Sequence, residues 1–464
     1  METRSLKFVA EVCAAVITSG PADGEFQAVS IDSRTAKAGD LFFAIKGDKF
    51  DGHDFIAEVA AKGVTAMVLQ KSKAQGMRSK IASVTLLAVD DVRAALGKLA
   101  AAYRREFTLP VIAVGGSNGK TTVKELLASV LRQKFSTLWS EASFNNDIGV
   151  PMTLLRMEKS HQAAVLEIGT NHPGELAPLV RMIGPKSGVI THIGREHLEF
   201  FGDVASVALE EGALAELLPM DGELFLNGDN EWSEQLAART RANVVRVGLD
   251  NKNGWRAKKI RLDKNGVTFQ VAAPTEEFSG EYRINLLGRH QVTNALFAIA
   301  AGAALGLGRA EIQAGLAACL PPKRRLNFFE ANGVRVLDDS YNANADSTVV
   351  ALETLCSLPL QGRRVAVLGE MAELGAHSVA AHAEIGRRAA ELKLGQLFAI
   401  GKMAAVTAQA ARDAGLMRVF EFGEVEAAIK VLKSFLKPGD VVLLKASRVS
   451  RLERIAEMLK AENN

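Results

Sequence analysis

The run VIAVGGSNGKTTVKELL, Val111 to Leu127, leaves few folds open to this chain. An apolar stretch ending in paired glycines reads as a buried strand and a sharp turn. Lys120-Thr121-Thr122 then opens a segment in which Val123, Leu126, Leu127, Val130 and Leu131 recur on one helical face. A glycine-rich turn between a strand and a helix N-terminus gathers backbone N–H groups and the positive end of the helix dipole around one point, which suits an anion. Gly116, Ser117, Asn118, Gly119, Lys120, Thr121 and Thr122 are therefore the candidate phosphate-binding residues. Lys120 is placed to reach the terminal phosphates of ATP and the Thr121 hydroxyl to ligate Mg²⁺. A strict P-loop carries a glycine five residues before Gly119; this chain has Val114 there, so GGSNGKTT is a shorter variant.

The surroundings extend the pattern. AAVLEIG (from Ala163), SGVITHIG (from Ser187) and GELFLNGDN (from Gly222) are apolar runs separated by helical stretches, which predicts a mostly parallel sheet. Upstream, FQAVSIDSRTAKAGDLFFAIKG, AAKGVTAMVLQ and ASVTLLAVDD read as a small α/β domain, with AALGKLAAAYRREF as a helix leading out of it. Downstream of PPKRR, the strands VRVLDDS, RRVAVLGEM, QLFAIG and DVVLLKAS alternate with helices as in a Rossmann-like domain. The expected fold is α/β in three domains: a small N-terminal domain over residues 1–107, a central P-loop-type domain over 108–320 and a C-terminal Rossmann-like domain over 321–464.

Composition excludes several classes of function. A net charge of +3 over 464 residues argues against a nucleic-acid or membrane-surface partner. Cys13, Cys319 and Cys356 are scattered, with no zinc or disulfide spacing, which fits a reducing compartment. NALFAIAAGAALGLG is too short for a membrane span and reads as a buried helix. FVAEVCAAVI is interrupted by Glu11 and reads as an amphipathic helix rather than a signal peptide. A cytoplasmic protein is expected.

In an open parallel sheet, ligands sit beyond the carboxyl ends of the strands. Glu167 ends one predicted strand, and His197 lies just past the end of another. Both are candidates to face the loop and its Mg²⁺, although a carboxylate suits that ion better than an imidazole does. His192/His197 and His377/His382 are spaced five apart, which does not put a pair on one helix face and argues against zinc.

Taken with GGSNGKTT, the segments FNNDIGVPMTLL, VLEIGTNHPGEL, ITHIGREHLEFFG, LLGRHQVTNALFAIAA, DDSYNANADST, DSRTAKAGDLFFAIKGDKFDGHDFI and VLGEMAELGAHS resemble the Mur ligases over nearly the whole chain. The resemblance implies an ATP- and Mg²⁺-dependent enzyme that activates a carboxylate as an acyl phosphate and transfers it to an amine. It implies that the first domain holds the UDP end of a nucleotide-peptide through Ser33 and Arg34, and that the third brings in the amine and closes. Asn294 matches an adenine-contacting asparagine, Arg325 and Asp339 match residues that meet ATP, and Asn145 and Asn146 match a substrate-side pair.

A family branch that adds a diamino acid carries Asp-Asn-Pro-Arg, which this chain lacks. The resemblance, chiefly at DDSYNANADST, implies instead the substrates UDP-N-acetylmuramoyl-tripeptide and D-alanyl-D-alanine. A monomer is expected. The rival readings are that diamino-acid ligase, a folate polyglutamate ligase, and a P-loop ATPase with no ligated product.

The chain departs from the family pattern at His290-Gln291, at Asn344-Ala345-Asp346 and at Lys445-Ala446-Ser447-Arg448. A further departure bears on chemistry. The resemblance implies a carbamylated lysine in the short helix after the His-Leu-Glu motif, yet Arg195 to Leu218 contains no lysine. The position falls on Glu211, or on Glu210 with a slip of one. Glutamate offers the charge and hard oxygens of a carbamate on a shorter stem.

Overall fold

A computed structural model describes residues 1–77, 84–359 and 362–461. The chain divides into two units. The first comprises Met1–Ala113, Phe135–Thr170 and Glu175–Ser187, and the second Val114–Lys134, Asn171–Gly174 and Gly188–Asn464.

The first unit contains a five-stranded sheet in the spatial order Val16–Ser19, Thr85–Val89, Ala66–Gln70, Asp40–Phe43, Ala28–Ser30. Four of these strands are parallel, and Val16–Ser19 is an antiparallel edge. Register places Phe42 opposite Met67 and Met67 opposite Leu86, and all three are fully buried. Parallel strands covered on both faces need such continuous apolar runs. Two residues of the expected strand ASVTLLAVDD, Ala82 and Ser83, lie outside the described residues.

The helix Val92–Arg104 starts where the Asp91 side chain accepts from the Ala94 N–H. It buries Leu96, Leu99 and Tyr103, and the Tyr103 hydroxyl donates to the Met157 carbonyl at 2.6 Å. FVAEVCAAVI is helical only to Cys13; Ala14 turns left-handed and the chain re-enters as the strand Val16–Ser19.

The second unit takes the end of the strand Val111–Gly115, the glycine loop and the helix Lys120–Leu131, as the sequence predicts. Its strands Glu223–Asn227, Asn243–Gly248 and Trp255–Asp263 are parallel. They continue into the antiparallel strands Gly266–Ala272 and Gly280–Ile284. Sequence reading passed over the last four of these five strands. Their apolar residues are interspersed with polar ones, Lys and Arg in Trp255–Asp263 and Thr and Gln in Gly266–Ala272, so the signal is a half-exposed meander, not the buried run of a parallel strand.

The helix Gln291–Ala304 is buried over most of its length, as expected of NALFAIAAG. The C-terminal sheet runs Asn327–Ala331, Val334–Asp339, Val441–Lys445, Arg364–Leu368, Gln396–Ile400, Val419–Phe422. Leu337 faces Leu443, Leu443 faces Ala366, and Ala366 faces Leu397, all buried. The one antiparallel pair closes through Asn332 and Gly333, both with positive φ, the backbone a tight hairpin turn requires.

Candidate active site

The phosphate loop is held from beneath by the segment Thr191–Gly194. Ser117 donates its N–H to the His192 carbonyl at 2.6 Å, the Gly194 N–H reaches the Ser117 hydroxyl at 3.0 Å, and the Thr191 hydroxyl donates to the Asn118 carbonyl at 2.7 Å. Two glycines are obligatory. A Cβ on Gly116 (φ 107°) would lie 2.6 Å from the Thr191 hydroxyl oxygen, and one on Gly119 (φ 95°) would lie 2.8 Å from the Asn294 amide oxygen. The second clash places Asn294, expected at the adenine, directly against the loop. Its Nδ2 donates to Gln291 at 2.8 Å, so Gln291 serves as its support.

Lys120 opens the helix and folds its ammonium back onto the Gly116 carbonyl, with Glu196 at 3.4 Å. Glu211 is wholly buried, and its Oε2 accepts from the Gly116 N–H at 2.7 Å. Its other oxygen, the Thr121 hydroxyl and the Asn118 amide nitrogen are buried without hydrogen-bond partners among the described residues. Burial pushes the Glu211 carboxyl up to about 7, against the pull of Lys120. Burial likewise raises Glu196. Glu210, the alternative position, is partly exposed and accepts from the Gly174 N–H at 2.8 Å.

His197 sits at a helix start with φ 50° and pairs its Nδ1 with Glu373 at 2.5 Å. Beside it, Arg195 forks onto Glu384 (2.6 and 3.0 Å) and binds Asp346 through both its backbone N–H and its Nε, each at 2.7 Å. Asn344 donates to the Asn118 amide oxygen at 3.0 Å. Asp339 is occupied, accepting from Lys445 at 2.6 Å and from the Leu326 N–H at 3.1 Å. Arg325 lies over the ring of Tyr341. A cavity of about 540 Å³ opens beside the loop, lined by His192, Arg195, Asn230, Thr293 and Asp346 among others.

Glu196, Arg195 and Glu384 were not picked out from the sequence, and Asp346 was named there only within the departing triplet Asn344-Ala345-Asp346. Glu196 and Arg195 stand next to His197 in a motif already singled out, and that adjacency was the available signal. Glu384 sits mid-helix among surface-type residues and carries none.

The remaining expected site residues lie in the first unit. Glu167 ends the strand Ala163–Glu167, is 1% exposed, and accepts from the Asn145 amide at 2.9 Å; its Oε2 has no partner among the described residues. The Asn146 side-chain oxygen accepts from the Ile148 N–H at 3.2 Å and the Gly149 N–H at 2.9 Å, a local turn leading into the helix Gly149–Leu154. Arg34 is exposed and forks onto Asp32, and this side-chain bond holds the Asp32 carboxyl down at about 2. The Ser33 carbonyl accepts from Lys62 at 2.6 Å.

Family models match three consecutive stretches: the Mur ligase family catalytic domain over residues 25–104, the Mur ligase middle domain over 114–302 and the Mur ligase glutamate ligase domain over 324–448. The chain is 35% identical to the UDP-N-acetylmuramoyl-tripeptide--D-alanyl-D-alanine ligase of Escherichia coli K12, over 95% of each chain. It is 31% identical to the enzyme of the same name from Bacillus subtilis 168, over 99% of each. Among solved structures, MurF from Acinetobacter baumannii superposes with a TM-score of 0.89 at 30% identity, covering 99% of both chains. The MurF ligase of Thermotoga maritima in complex with ADP gives 0.81 at 26% identity, covering 94% of this chain and 97% of that one. With three successive domain models, full-length identity above 30% and full-length superposition in agreement, the chain belongs to the Mur ligase family.

Proposed function

We infer that this protein is an ATP-dependent ligase that joins D-alanyl-D-alanine to UDP-N-acetylmuramoyl-tripeptide in peptidoglycan precursor synthesis, in the cytoplasm. The full-length likeness to ligases of that name supports the reading. One observation in the chain carries it: the phosphate loop is surrounded by buried polar atoms, Thr121 Oγ1, Glu211 Oε1 and Asn118 Nδ2, that no group among the described residues satisfies. Leaving such atoms bare costs about 1–3 kcal/mol each, so a ligand is the economical explanation. No helix among the described residues is long and apolar enough to cross a membrane.

The chemistry follows from the parts. A carboxylate acylates poorly because oxide is a bad leaving group. Transfer of the γ-phosphoryl of ATP to the tripeptide carboxylate gives an acyl phosphate, the amine attacks its carbon, and phosphate leaves. Lys120 moves from the Gly116 carbonyl to the terminal phosphates, where its charge offsets what develops in transfer. A hydroxyl and an anionic, hard, unpartnered oxygen beside the loop fit Mg²⁺. Thr121 and Glu211 would hold it, Glu167 and His197 are the further proposed ligands, and the ion supplies charge neutralisation on the phosphates. Glu211 takes the place of the carbamylated lysine of the family: it is the buried acid on the Gly116 N–H, whereas Glu210 is turned to Gly174.

His192 and Thr293 line a pocket beside the loop. Asn294, packed against Gly119, is the proposed adenine contact, and Arg325 and Asp339 are the proposed contacts to ATP from the third domain. Ser33 and Arg34 hold the UDP end, and Asn145 and Asn146 the peptide side. These roles follow a division into domains at residues 1–107, 108–320 and 321–464. The test is phosphate release by purified protein given ATP and nucleotide-peptide. Release that waits for D-alanyl-D-alanine supports a ligase; amine-independent release would identify a plain ATPase, and preference for a diamino acid would identify the sister branch.

A further inference from the structure

Two guanidinium groups, those of Arg325 and Arg448, lie against the ring of Tyr341, with Cζ atoms 4.4 and 5.7 Å from its centroid. Neither forms an ion pair among the described residues. The contrast with the adjacent Arg324 is sharp, since that side chain is given Glu453 at 3.4 Å and Glu457 at 3.2 Å. Two cations converging on one ring without an acid between them repel each other. An oxyanion relieves that repulsion, and the planar fork of arginine matches a carboxylate in a bidentate pair.

The location is built. Tyr341 lies in the loop after the strand Val334–Asp339, and Arg448 follows the parallel neighbouring strand Val441–Lys445, so both stand at carboxyl ends of the C-terminal sheet, where such sheets bind ligands. Ser447 ties the two segments together, accepting from the Ala372 N–H at 2.8 Å and donating to the Ala343 carbonyl at 3.1 Å. Lys445 adds a bond to the Asn342 carbonyl at 3.0 Å. The same loop reaches the phosphate loop through Asn344, which donates to Asn118 at 3.0 Å. From Tyr341 to Asn344 is three residues, at most about 10 Å of chain. An extended dipeptide spans about 7 Å from amine to carboxylate, and a single amino acid about half that.

We propose that Arg448, steadied with Arg325 on the Tyr341 ring, receives the free carboxylate of the incoming amine and so selects a dipeptide whose amino end reaches the phosphate loop. This assignment rests on the ligase reading above. The test compares D-alanyl-D-alanine with its C-terminal amide, which lacks the carboxylate charge, as acceptors for the full-length wild type and for Arg448→Ala and Arg448→Lys.

The wild type is expected to prefer the acid by about tenfold to a hundredfold in kcat/KM. Arg448→Ala should lose that preference, with KM for the dipeptide raised by the same factor and KM for ATP unchanged. Arg448→Lys, which keeps the charge without the fork, should fall between. The anchor is wrong if Arg448→Ala still prefers the acid as the wild type does, or if the KM that rises is that for ATP, which would make Arg448 a nucleotide-phosphate ligand. A wild type that joins no D-alanyl-D-alanine overturns the ligase reading and the anchor with it. One that joins the dipeptide while the variant keeps its preference overturns the anchor alone.

Discussion

Two charged clusters in this protein are built from similar residues and end in opposite states. In the first unit, Asp51 accepts from the His53 backbone N–H at 3.0 Å, meets His53 Nδ1 at 2.6 Å and pairs with Lys73. His53 Nε2 in turn accepts from the Gln70 N–H at 3.0 Å. Every polar side-chain atom of that triad has a partner. Burial pushes the Asp51 carboxyl up, but the hydrogen bonds from Lys73 and His53 win and hold it well below the usual carboxylate range.

At the phosphate loop, Lys120, Glu196 and Glu211 include two buried acids for one lysine, and Glu211 keeps an unpartnered oxygen. There burial wins, and the Glu211 carboxyl rises to about 7. A closed network stabilises a fold, whereas one left open stores a cost that a cation and a polyphosphate can relieve.

The comparison breaks first at Lys120. Lys120→Ala should abolish product formation, by about a thousandfold or more, in a protein that keeps its circular dichroism and melting profile. Near wild-type turnover would remove the open cluster from the chemistry. Glu211→Gln comes next: kcat should fall by about tenfold to a hundredfold, with little change in KM for the nucleotide-peptide. Wild-type activity should not depend on bicarbonate. Inactivation on stripping carbon dioxide would return the anionic role to a carbamate elsewhere.

Asp51→Asn tests the closed cluster. It should cost about 1–3 kcal/mol of stability, read by denaturant unfolding, while kcat stays within about twofold of wild type. A large loss of kcat in the folded variant would place the triad in the reaction.

The smallest effect is in pH. The Glu211 carboxyl in the folded protein, at about 7, lies above the unfolded value of 4.5. Between these the unfolded chain gives up its proton first, so stability of the metal-free protein falls as pH rises from about 4.5 to 7 and then levels. Glu211→Gln should remove that slope and melt a few degrees higher at pH 8, about 2–4 °C. Identical slopes in the two proteins would mean that Glu211 is ionised without penalty.

The phosphate loop was legible in the sequence because everything that makes it is local: a strand, two glycines that need positive φ, and a helix whose apolar face is one period of 3.6 residues. Glu167 was legible as a strand-end residue, since the ends of parallel strands are read from where apolar runs stop. His197, expected just past a strand end, stands at the start of the helix Leu198–Phe201. The meander from Trp255 to Ile284 was missed because its alternation of apolar with polar and charged residues resembles a solvated segment when no sheet is yet known to receive it. The Arg195–Glu384 fork was missed for a different reason: its partners are 189 residues apart and each is an ordinary surface type.

Sequence by itself determined the α/β alternation, the loop and its lysine, the absence of a family lysine between Arg195 and Leu218, and the order of motifs that places the chain in its family. Those are properties of residue type and spacing, which the chain carries unfolded. Only the tertiary structure decided that Glu211 and not Glu210 meets the loop, across 95 residues. It alone decided that Glu196 rather than solvent faces Lys120, and that Arg325 and Arg448 share one ring while Arg324 takes both nearby acids. Which of two neighbouring carboxylates is buried, and which of several arginines is left without a counter-ion, depends on packing between segments far apart in the chain. Spacing along one segment does not encode that packing.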